Sequence, residues 1–157
     1  IIFFDNDLIY PFGSSRMNAP KEVPSTIAQD FNEACLVESL SKKASAALGR
    51  RCLQNILHDQ GIKKYDLREE IEEAMKSLPS HLSNAIDTIR NIGNFAAHPM
   101  KYKNTGEIVE VEPEETEWVL DVLEQLFDHY YVQPSLTKTK KSSLDAKLRA
   151  AGKPPSK

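Results

Sequence analysis

Ser80-His81-Leu82-Ser83-Asn84-Ala85-Ile86-Asp87-Thr88-Ile89-Arg90-Asn91-Ile92-Gly93-Asn94-Phe95-Ala96-Ala97-His98 reads as one helix with two unlike sides. Ser80 follows Pro79 and is a preferred N-cap type, and Pro99 stops the run near His98. At 100° per residue, with Arg90 at zero, Ile86, Ile89, Ile92, Gly93 and Ala96 fall between about −160° and −40°. Asn94, His98 and Asn91 fall at about 40°, 80° and 100°. One side is therefore built to pack, and the other gathers a guanidinium, two carboxamides and an imidazole in an arc of about 100°. Gly93 lowers helix stability by roughly 1 kcal/mol against Ala, so close approach of a neighbouring helix is expected there.

The flanking sequence repeats the helical period. A first helix is expected from about Pro24, with Ile27, Phe31, Ala34, Cys35 and Leu36 on its apolar side. A second spans about Lys42 to Gln60, on Ala44, Ala47, Leu48, Cys52, Leu53, Ile56 and Leu57, and Gly61 stops it. Asp66-Leu67-Arg68-Glu69 has the form of a capping box and opens a third helix at Leu67, which Pro79 ends. Pro113-Glu114-Glu115 opens a fifth, with acids at the favourable end of the helix dipole, Trp118 through Tyr130 supplying its buried side and Pro134 ending it. Residues 1–12 read as one or two short strands or an extended arm, and residues 100–112 as a loop with a short strand pairing with that arm. The fold class is mainly α: a compact bundle of four to five helices with a short N-terminal strand or arm and a small β addition. Its organisation is an extended arm over 1–23, a helical domain over 24–133 and a basic, flexible tail over 134–157.

The composition fits one such domain. The 157 residues are 40% hydrophobic and 27% charged, enough for a core without disulfides or metal. No apolar run nears the ~20 residues a bilayer span needs, which excludes a membrane helix. Ile1 to Phe4 is too short for a signal-peptide core, although a chain that does not begin with Met leaves upstream sequence open. The net charge of −3 hides a split. Seven basic residues face the single acid Asp145 between Leu136 and Lys157, leaving thirteen against twenty-two in residues 1–135. A basic tail of this kind either contacts phosphates or acidic surfaces or is a solvated end. Cys35 and Cys52 sit in helical apolar patterns outside any C-x-x-C pair, as expected of buried thiols in a reducing, cytoplasmic compartment. Phosphate-loop and dinucleotide fingerprints are missing, and so is a metal-ligand pattern; no cofactor is expected.

Two accounts of the polar arc stand side by side. In the structural one, Arg90 pairs with an acid such as Asp87 or Glu72, and Asn94 and His98 satisfy helix-end carbonyls or the Lys101–Gly106 loop. In the functional one, His98 in the last turn is held by the helix dipole toward its imidazolium form, which suits a phosphate contact.

The order Asp30-Phe31-x-Glu33-Ala34, Arg50-Arg51-Cys52-Leu53 and Arg90-x-x-Gly93-Asn94-x-x-Ala97-His98 resembles the bacterial family called domain of unknown function 4145, over about residues 20–131. That family is similar to the wider HEPN group of helical domains. Many of those are metal-independent ribonucleases built on an R-x(4–6)-H pair, acting as dimers in toxin and phage-defence systems. The resemblance implies Arg90 and His98 as the catalytic pair and Asn91 as the polar residue that follows the arginine; Asn94 joins the catalytic candidates, and Asn91 and Lys101 are the candidate substrate contacts. Seven residues separate Arg90 from His98 here, one more than the usual spacing. In the implied mechanism a 2′-hydroxyl attacks the adjacent phosphate. His98 moves a proton, Arg90 meets the developing charge, and a two-fold homodimer supplies a second histidine. Other members of the family resemble accessory domains, so a non-catalytic, dimeric interaction or regulatory module with an RNA or protein partner is the alternative.

Overall fold

The computed structural model describes residues 2–4, 7–10, 13–97 and 101–157, with side chains for 13–90, 92 and 101–157. Strands β1 (Ile2–Phe4) and β2 (Asp7–Tyr10) form an antiparallel pair. Helices α1 (Ser25–Val37), α2 (Lys42–Asp59), α3 (Leu67–Met75), α4 (Ser80–Ala97) and α5 (Pro113–Phe127) form the bundle. A π-helical turn, Asp128–Val132, then leads directly into α6 (Gln133–Ala150).

The helix starts follow their side-chain chemistry. The Ser41 hydroxyl accepts from the Ala44 N–H at the head of α2, and the Asp66 carboxylate accepts from the Glu69 N–H at the head of α3. At the head of α5, Glu112 and Glu115 cap reciprocally with Pro113 at the first position, so orphan donors there find acceptors. The core is one cluster to which α1 through α5 all contribute, and Phe31 and Phe127 meet edge to face at 5.1 Å inside it. Helix α2 runs through the middle, against α1, α4 and α5. Gly49 permits that closeness, because a Cβ there would lie 2.6 Å from Val119 Cγ1 on α5. The close approach expected at Gly93 lies outside the described side chains. Cys35 and Cys52 are free and buried, and burial pushes the Cys35 thiol up to about 11.

Several expectations change. The helical run does not end at Pro134. That residue occupies the first turn of α6, where its missing N–H costs nothing, and the tail is helical to Ala150. Ile108 pairs with Lys101 in an isolated antiparallel bridge of its own loop, closed by Gly106 at φ 72°, rather than with the N-terminal arm. Trp118 is 40% exposed, and its Nε1 donates to Thr88 Oγ1 on α4. Leu120 takes the buried place instead. Among the described residues no helix is long and apolar enough to cross a membrane.

Candidate functional site

Helix α4 carries Arg90, Asn91 and Asn94 on one continuous backbone, fixed by the burial of Leu82, Ile86, Ile89 and Ile92 beneath it. His98 and the side chains of Asn91 and Asn94 lie outside the described residues. Lys101 is exposed at its bridge to Ile108.

Arg90 is engaged by its own chain. Its Nη2 lies 2.6 Å from Asp87 Oδ1, one turn back on α4, and its Nη1 lies 3.2 Å from Glu72 Oε1 on α3. Glu72 Oε1 also accepts from Arg68 Nε at 3.2 Å. The Arg90 side chain is 29% exposed, so it lies along the α3–α4 seam rather than reaching into solvent. Pairs of this kind are worth little singly, but two carboxylates around one guanidinium neutralise its charge and fix its direction.

A second guanidinium stands beside it. Arg50, half-buried on α2, donates from Nη1 to the Arg90 carbonyl oxygen at 3.1 Å. Among the described residues it has no carboxylate at ion-pair distance. Burial pushes its pKa down, and Asp66 opposes that shift through space while its own carboxylate caps α3. Sequence reasoning missed Arg50 as a site residue. Its neighbour Arg51 turns the other way to pair with buried Asp30 at 3.3 Å, and Asn55 donates to the same carboxylate at 2.8 Å. The alternation of the two arginines around α2 carried the signal, since residues one apart face about 100° apart.

Another polar cluster is structural. Glu70 is 1% exposed, and its carboxylate meets His58 Nε2 at 2.6 Å, Gln54 Nε2 at 3.0 Å and the Lys64 N–H at 3.2 Å. It joins the end of α2, the loop after it and α3. On the helical wheel Glu70 falls about 40° beyond the edge of the arc that Leu67, Ile71 and Ala74 span, so it borders the inward face of α3. His58, with its side chain 36% exposed, closes this cluster on the solvent side. It also edges a cleft of about 400 Å³ with Asn55, Asp59 and Lys63. A larger cleft, about 630 Å³, lies between His81 on α4 and Asp121, Glu124 and Asp128 below. Neither cleft contains Arg90. Among the described residues no three His, Cys, Asp or Glu side chains group as metal ligands do.

The model of the family described as "Domain of unknown function (DUF4145)" matches residues 32–148. The chain belongs to the DUF4145 family. The match reaches beyond α5 and includes most of α6, so in this DUF4145 chain the basic helix lies within the family's span. No curated protein and no solved structure matches the chain.

Proposed function

We propose that this DUF4145 domain is a HEPN-like RNA-binding module that holds the phosphodiester backbone at the Arg50–Arg90 corner and does not cut it. The observation that carries the reading is the neutralised state of Arg90. A catalytic guanidinium must be available to the charge that builds on phosphoryl oxygens. Glu72 and Asp87 already take that role for Arg90. Arg50, half-buried and with only a carbonyl contact among the described residues, is the cation better suited to an incoming phosphate. The partner is cytoplasmic RNA, and a homodimer in a bacterial defence setting is the assembly in which the module acts.

The test is binding of a single-stranded RNA, followed by fluorescence anisotropy, with the RNA then run on a denaturing gel. Binding without cleavage is expected. A charge-assisted hydrogen bond is worth about 1.5–3 kcal/mol, so Arg50→Gln should weaken binding roughly 10- to 100-fold. Unchanged affinity in Arg50→Gln removes the reading.

The second reading is a metal-independent ribonuclease with His98 as the proton-transfer group, Arg50 and Arg90 as cations, and Asn91, Asn94 and Lys101 as phosphate contacts. The observation that favours it is the position of Arg50 beside α4, with no carboxylate at ion-pair distance among the described residues. Cleavage in EDTA that leaves 2′,3′-cyclic phosphate ends and disappears in His98→Ala is its signature.

A further inference from the structure

Helix α6 has 18 residues and no buried one, and its backbone neighbours only the π-helical turn among the described elements. A lone helix of this length is marginal in water, because nucleation is costly and no apolar stripe supports it. Its charge makes it less self-sufficient. Lys138, Lys140, Lys141, Lys147 and Arg149 face one acid, Asp145, and that carboxylate is occupied by the N–H of Ser156 at 2.9 Å and its hydroxyl at 2.7 Å.

The positive charge is not spread evenly. With Leu136 at zero on the wheel, Lys147 and Lys140 lie at about 20° and 40°. Lys141, Lys138 and Arg149 lie at about 140°, 200° and 220°. Two basic edges thus run down opposite sides of the helix. Between them, from about −120° to −20°, lie only small side chains: Ser142, Ser135, Ala146, Thr139, Ala150 and Ser143. The chain's end folds back behind the second edge, where Ser156 meets Asp145 at about 180° and Lys141 donates to the Lys157 carbonyl oxygen at 3.2 Å, which leaves Lys138 and Arg149 bordering the open small face.

We infer that α6 is a nucleic-acid-binding helix whose two basic edges contact the phosphate rows on either side of the major groove of duplex DNA. A helix is about 10–12 Å across with its side chains, and the B-form major groove is about 12 Å wide. Two cationic edges flanking a slim face match two anionic rows flanking a groove. A single-stranded RNA offers one row, and the major groove of A-form RNA is too narrow for a helix. The surface is separate from the Arg50–Arg90 corner and does not rest on the reading given to it.

The experiment uses the full chain with a fluorescein-labelled 30-base-pair DNA duplex, a matched single-stranded RNA and a matched RNA duplex, by anisotropy at several salt concentrations. Four phosphate contacts, from Lys138, Lys140, Lys147 and Arg149, predict a log–log salt slope near −3.6, so affinity for the DNA duplex falls roughly 150-fold between 50 and 200 mM salt. Lys147→Gln should make the slope shallower by about one unit. Replacing all five basic residues of α6 by Gln should abolish duplex binding with the thermal midpoint of the bundle unchanged, since none of them is buried. In that variant, single-stranded RNA binding that depends on Arg50 should persist, which separates the two surfaces. The inference is overturned if the DNA duplex does not bind at 50 mM salt, if the five-Gln variant binds it as tightly, or if either RNA is preferred. It is also overturned if the five-Gln variant loses only self-association, because α6 would then serve the acidic cleft of a second copy.

Discussion

Gly49→Ala sets two opposed effects against each other on one methyl group. In a helix interior the substitution normally stabilises by about 1 kcal/mol, because Ala loses less backbone freedom on folding. Here the new methyl would start 2.6 Å from Val119 Cγ1, where carbon atoms normally rest about 3.5–4.0 Å apart. Val119 is 1% exposed and branched at Cβ, so it has no easy second rotamer on α5. Relief requires α2 and α5 to separate by a sizeable fraction of an ångström, and overpacking of this kind costs about 1–3 kcal/mol. The expected balance is a net loss of about 1 kcal/mol, read from urea denaturation midpoints at constant slope. The decisive measurement repeats Gly49→Ala in a Val119→Ala background, where the obstructing methyls are gone. There the same substitution should stabilise by about 1 kcal/mol. An effect of equal size and sign in both backgrounds would show that the contact does not limit the helix spacing, and the reasoning would fail.

Glu70→Ala leaves His58, the Gln54 carboxamide and the Lys64 N–H facing an emptied, buried position, and should cost about 3 kcal/mol in the same denaturation assay. A loss below about 1 kcal/mol would mean that water replaces the carboxylate and that the cluster does not hold the loop. The Tyr131 hydroxyl donates to Asp59 Oδ2 at 2.9 Å, and burial first, then that carboxylate, raises the phenol's pKa. The folded protein therefore holds this proton more tightly than the unfolded chain. The resulting stability is complete below the unfolded tyrosine value of about 10 and is lost as pH rises through the folded value. The stability gap between the wild type and Tyr131→Phe should narrow above pH 10 or so, and a gap independent of pH would refute the assignment.

Much of the fold was legible because the decisive residues were unambiguous. Branched and aromatic side chains at helical spacing marked α3, α4 and the second half of α2, and Asp66 and Pro113 marked the starts of α3 and α5. The first half of α2 was not. Ala44, Ser45, Ala46 and Ala47 differ too little in hydropathy to fix which side faces inward, and the structure buries Ser45, Ala46 and Gly49. Ser45 enters the core because its hydroxyl donates to the Ala34 carbonyl on α1 at 2.8 Å, a partner that no periodicity reveals. Pro134 misled for a different reason. A proline ends a helix only when its N–H is needed or its ring meets the preceding turn, and the wider π-helical turn before it removes that conflict.

The candidate site was legible as a direction but not as a charge state. The wheel brings Arg90 and its polar neighbours to one side of α4, yet the fate of a guanidinium depends on which acids other elements deliver to it. Asp87 was visible as a neighbour one turn away, whereas Glu72 reaches Arg90 only because α3 packs along α4. Arg50 shows the converse. From sequence it is one of two adjacent arginines on a helix, and only packing separates the one that meets buried Asp30 from the one left with a backbone carbonyl. The residue types named a cationic face, and tertiary contacts moved its available charge from Arg90 to Arg50. Substitution should follow the same order: charge removal at Arg50 acts on anion binding, whereas charge removal at Arg90 acts first on the α3–α4 seam.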